Sequence, residues 1–110
     1  MGKEGERIFM VVANAEQGEE LAAWDIYLRR TLVFPFEAKV EEPQDHGPID
    51  CGDKVQVRAF TDTDDSYGIL VHVIHEKERY VFPLCDLTPL DKKSPNYTPV
   101  RDYCVWYANR

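Results

Sequence analysis

The chain has 110 residues, with 13 basic and 20 acidic side chains, a formal net charge of −7 and a pI ≈ 4.9. This balance repels phosphate backbones, so nucleic-acid binding is not expected, and a divalent cation or a basic partner is the natural complement. Hydrophobic residues at 44%, charged residues at 30% and a mean hydropathy of −0.46 exclude a disordered chain. No apolar run approaches the ~20 residues of a membrane helix.

The length fits one domain over residues 1–110. Met1 to Glu6 is charged and polar, without the apolar stretch of a signal peptide, so a cytoplasmic protein is expected. Cys51, Cys85 and Cys104 form no C-x-x-C pair. They read as reduced thiols rather than as a disulfide or zinc framework.

Ile8, Val11 and Val12 recur at helical spacing and predict a short helix over Glu4 to Ala13, although a strand over Ile8 to Val12 fits the same residues. Asn14 followed by Gln17 reads as a capping box. It opens a second helix with Leu21, Trp24, Leu28 and Thr31 on one face. Acids at Glu16, Glu19, Glu20 and Asp25, and Arg29 and Arg30 at the far end, complement the helix dipole. Phe34-Pro35-Phe36 stops that helix, and a strand is expected from Phe36 to Glu41. Residues 42–52 read as a loop.

Val55, Val57 and Ala59 alternate with polar residues and predict a half-buried strand. Asp62 to Tyr67 reads as a turn, and Gly68 to Glu76 as a more apolar strand. Glu76-Lys77-Glu78-Arg79 reads as a tight hairpin, and Tyr80 to Cys85 as the returning strand. Thr98 is expected to cap a last helix with Pro99 at its first position, turning Val100, Tyr103, Cys104 and Tyr107 inward. The fold class predicted is α+β: a small SH3-like β-barrel of about five strands. The helical amino-terminal part covers 1–33, the barrel 34–88 and the short carboxyl-terminal helix 98–109.

Charge is not spread evenly. Glu41, Glu42, Asp45, Asp50, Asp53, Asp62, Asp64 and Asp65 face only Lys54 and Arg58 within residues 41–65, a local charge of −6 out of −7. The run Asp62-Thr63-Asp64-Asp65-Ser66-Tyr67-Gly68 places side-chain oxygens at alternate positions. Ca2+ takes such hard donors, about 6–8 at a time. The run is not an EF-hand, since glycine falls at position seven and Val73 stands where the twelfth-position glutamate belongs. In the expected barrel, loops 42–52 and 61–67 lie on one side and present a shared acidic surface.

Asp62 and Asp64 are therefore the candidate primary ligands and Asp65 and Ser66 the secondary ones. Glu41, Glu42, Asp50 and Asp53 supply a longer-range field or a second weak site. His72 and His75 fall on opposite faces of their strand and do not share a metal. His46 stands alone in the acidic loop. No phosphate loop, nucleophile elbow or zinc-protease motif occurs, and no enzyme is expected.

Several stretches together resemble the cyanobacterial calcium-binding protein family, the CcbP-like proteins. They are Trp24-x-x-Tyr27-Leu28, Phe34-Pro35-Phe36-x-Ala38, Gly52-Asp53-x-Val55-x-Val57, Pro83-Leu84-x-x-Leu87, and Asp102-Tyr103 with Trp106. Order and spacing agree over roughly residues 6–107. The resemblance implies a small acidic Ca2+-binding protein outside the EF-hand class that buffers or senses intracellular calcium. The alternative is an SH3-like interaction module whose acidic loops bind a basic protein partner without metal.

Overall fold

The computed structural model describes residues 2–43 and 47–110. Asp45 and His46, named above, lie outside them. Helix α1 spans Lys3–Val12 and α2 spans Glu20–Thr31. Strands β1 (Phe36–Val40), β2 (Lys54–Asp64), β3 (Gly68–His75) and β4 (Glu78–Pro83) follow. A 3-10 turn, Leu84–Asp86, then leads to β5 (Leu87–Pro89), and α3 (Tyr97–Asn109) ends the chain. No helix among the described residues is long and apolar enough to cross a membrane.

The sheet is antiparallel, in the order β4-β3-β2-β1-β5. The α+β class and five strands stand, but the barrel expectation is corrected, because the sheet is open. No pairing joins its edges β4 and β5 among the described residues. The physical cause lies between them. Pro83 ends β4, the 3-10 turn carries the chain away, and β5 has only three residues, ending in Pro89, which has no N–H to donate.

One face of the sheet carries the core. Ala38, Val40, Val55, Val57, Val71 and Val73 are fully buried, and Trp24 and Leu28 of α2 and Val100 and Tyr103 of α3 are buried with them. Burying each valine or leucine among them is worth about 1.5–3 kcal/mol relative to exposure. β2 departs from simple alternation. Register shifts between Val57 and Ala59 and between Phe60 and Asp62 insert an extra residue twice. Ala59, expected to follow Val57 inward, is exposed, and Phe60 is the half-buried residue instead.

Two helix starts differ from expectation. The second helix begins at Glu20, not after Asn14, because Gly18 takes a φ of +89° that no helix continues. The Glu20 carboxylate there accepts from Gly18 N at 3.0 Å. The last helix begins at Tyr97, with Asn96 rather than Thr98 at its cap and Pro99 third. The Asn96 amide serves a tertiary contact: Oδ1 accepts from Val33 N at 2.7 Å and Nδ2 donates to Val33 O at 2.9 Å.

The β3–β4 hairpin turns on Glu76 and Lys77, whose φ values are +49° and +72°. Two central residues with positive φ match a type I′ turn, which glycine adopts at the second position without strain. Lys77→Gly is expected to stabilise the fold by about 0.5–1 kcal/mol, measured as a raised midpoint in urea unfolding with an unchanged slope.

Candidate metal centre

β2 carries the acidic segments at its two ends. Because β1, β2 and β3 run antiparallel in sequence, the 41–53 connection meets the first residue of β2 and the 65–67 turn meets its last. Eleven residues at roughly 3.3 Å each separate them by on the order of 30 Å. The expectation of one shared acidic surface is corrected by this topology: successive hairpins of a meander open at opposite ends.

At the hairpin end, Asp62 and Asp64 belong to β2 itself, paired with Leu70 and Gly68. Two residues apart in a regular register, they project from one face. Asp65, Ser66 and Tyr67 make the turn. Asp64 Oδ1 accepts from Ser66 N at 2.7 Å and from Tyr67 N at 2.9 Å, so this carboxylate closes the turn. Asp62 Oδ1 accepts from Thr63 N at 2.8 Å. Asp65 and Ser66 are exposed.

Helix α3 holds this turn from behind. Tyr107 Oη donates to the Ser66 carbonyl. Ile69 N donates to Tyr103 Oη at 2.9 Å. Gly68, at φ +75°, lets the Tyr103 hydroxyl and the Tyr107 ring approach: a Cβ there would clash with Tyr103 Oη and lie 2.7 Å from Tyr107 Cε1. The glycine at position seven of the acidic run therefore serves helix packing. Burial pushes the Tyr103 phenol well above its ordinary pKa.

At the other end, Glu41 Oε2 accepts from Thr88 Oγ1 at 2.8 Å. Asp53 Oδ2 accepts from Asp50 N at 2.9 Å and lies 3.4 Å from His75 Nε2. Asp86, missed in the sequence, joins this end through its carbonyl, which accepts from Glu41 N at 2.8 Å. Its carboxyl is half-buried, and desolvation raises its pKa. The hydrogen bond from Cys85 opposes that rise and the Glu42 charge adds to it. Burial also pushes the Cys85 and Cys104 thiols to about 12, which suits inert packing rather than reactivity.

Asp102, named in the sequence only as part of a family motif and given no role there, is 2% exposed, takes a two-pronged pair from Arg7 at 2.7 and 3.1 Å and ties α1 to α3. Its place one turn after the buried Pro99 was the available signal.

The donors suit Ca2+ in kind, being carboxylates, hydroxyls and carbonyls rather than thiols or imidazoles. They are not gathered: among the described residues no three His, Cys, Asp or Glu side chains stand close enough to hold one ion.

A family model, Calci_bind_CcbP, described as calcium binding, matches residues 6–107, and the chain belongs to that family. The crystal structure of Anabaena CcbP superposes with a TM-score of 0.75 at 25% identity, covering 96% of this chain and 89% of that one. A calcium-binding protein in its calcium-binding form gives 0.72 at 23%, covering 96% and 90%, a likeness of fold. A comparison with curated protein sequences returns no match.

Two tests follow from this geometry. Gly68→Ala is expected to destabilise the protein by about 1–3 kcal/mol, from the strained φ together with the clash on Tyr103, read by urea unfolding. Asp86 retains its proton more readily folded than unfolded, so its contribution is most favourable below the unfolded pKa. That contribution is lost as pH rises through the folded pKa. Asp86→Asn should therefore raise stability at pH 7, and its advantage should shrink as pH falls toward the ordinary carboxyl range. An advantage independent of pH would refute desolvation as the cause.

Proposed function

We propose that this chain binds Ca2+ and acts as an intracellular calcium buffer or sensor of non-EF-hand type. The carrying observation is membership of a calcium-binding family over nearly the whole chain. The concentration of −6 of the −7 net charge in residues 41–65 supports it. The absence of EF-hand character rests on the hairpin, where the acidic run sits on strands and Val73 belongs to β3.

In this reading Asp62 and Asp64, from one face of β2, are the primary ligands. Asp65 and the Ser66 hydroxyl, which do not stand gathered with them before an ion binds, are the secondary ligands, and water fills the remaining positions. Glu41, Glu42, Asp50 and Asp53 supply a longer-range field or a second weak site at the far end. The ion supplies two positive charges, which offset repulsion among the carboxylates. The chain's own part is to hold the hairpin: Asp64 closes the turn through one oxygen, and Tyr103 and Tyr107 fix its backbone. No catalytic role is assigned.

The test is isothermal titration of chelator-stripped protein with Ca2+ in about 1 mM Mg2+, since Mg2+ demands a tighter octahedron and surrenders water reluctantly. Saturable binding that Asp64→Asn weakens several-fold supports the hairpin site. Asparagine keeps the carbonyl that Ser66 and Tyr67 donate to, so the turn survives and only charge is removed. Loss on Glu42→Gln with Asp50→Asn, and none on Asp64→Asn, moves the main site to the other end of β2. No heat and no shift in melting temperature would overturn the calcium reading for this chain and favour a basic polypeptide as the ligand of the acidic loops.

A further inference from the structure

α3 holds two distant parts of the chain from adjacent positions. Asp102 accepts from Arg7 of α1, from Nε at 2.7 Å and from Nη2 at 3.1 Å. Tyr103, the next residue, accepts from the buried Ile69 N at 2.9 Å, and Tyr107, one turn on, donates to the Ser66 carbonyl. The first contact seats α1, and the other two bracket the turn that closes the acidic hairpin. Gly68 leaves no slack there, because a Cβ on it would run into both tyrosines.

α1 is the weakly held party. None of its ten residues is fully buried, and Ile8, Val11 and Val12 are only partly buried against the core. Among the described residues, the Arg7–Asp102 pair is its one side-chain hydrogen-bonded tie to the rest of the fold. The pair is lopsided: the Arg7 side chain is 42% exposed and that of Asp102 is 3% exposed. Arg7 passes into water at little cost, whereas Asp102 left behind is an uncompensated buried charge.

We propose that α3 couples the seating of α1 to the order of the acidic hairpin. With α1 seated, Asp102 stays buried and the two tyrosines hold the turn. With α1 released, α3 shifts until Asp102 meets water, and Tyr103 moves with its neighbour. Ile69 N then loses its acceptor, and the turn loosens. The coupling is reciprocal: a ligand that binds the ordered hairpin better than the loosened one seats α1 by the same factor. Ca2+ in that role rests on the calcium reading above and makes the chain a sensor whose moving part is α1. The link between α1 and the hairpin needs no ion.

The experiment follows amide hydrogen exchange residue by residue in the whole, metal-free chain. Arg7→Met should speed exchange in α1 and at Ile69 by at least about fivefold, the lower end of usual coupling, while the middle of the β2–β3 ladder keeps its rates. Arg7→Met with Asp102→Leu removes the charge that demands hydration and should restore protection at Ile69. Ca2+ titration of the same proteins should show Arg7→Met weakening uptake, and Ca2+ slowing α1 exchange in the unsubstituted chain, by a common factor. Faster exchange confined to α1 would overturn the proposal. So would equal acceleration in the β2–β3 ladder, which reports only lower global stability. Ca2+ uptake that Asp64→Asn weakens and Arg7→Met does not would also overturn it. An unsubstituted chain that takes up no Ca2+ yet shows the expected exchange pattern supports the coupling and overturns the calcium reading alone.

Discussion

The fold hangs on one side chain that belongs to two layers at once. Tyr103 of α3 is fully buried, its ring centroid 5.7 Å from that of Trp24 of α2 in an edge-on contact. Its hydroxyl accepts from Ile69 N at the start of β3. The apolar ring joins the two helices, and the polar tip satisfies a backbone donor that would otherwise be buried unpaired. Gly68 exists to admit it. The neighbouring Asp102 extends the same anchorage to α1 through Arg7. Trp24 shows the opposite bargain: its indole Nε1 has no hydrogen-bond partner among the described residues, and its ring is held by packing.

From that anchor the electrostatics divide. The acids collect at the two ends of β2, on the order of 30 Å apart, while charges screen one another beyond about 8 Å at physiological salt. Each end therefore acts as its own field. The hairpin end is rigidly backed, because α3 holds both the Ser66 carbonyl and the Ile69 amide. The other end is braced by backbone bonds across residues 40–53 and by the half-buried Asp86.

The sequence by itself determined the elements and the charge. Periodicity placed α1 and β3 close to their observed bounds, and Phe34-Pro35 marked the end of α2, because the residue before proline avoids helical backbone. The concentration of acids in residues 41–65 was a matter of counting, and the family was legible in motifs that are mostly core residues such as Trp24, Leu28 and Val57. Only tertiary structure decided where those acids stand. Antiparallel order sends successive hairpins to opposite ends of β2, which no count of residues reveals. The two bulges that expose Ala59, the burial of Asp102 against Arg7 and the use of Gly68 by Tyr103 are likewise settled by partners distant in the chain. Local pattern fixes which way a backbone turns. Which side chain it meets there depends on contacts dozens of residues away.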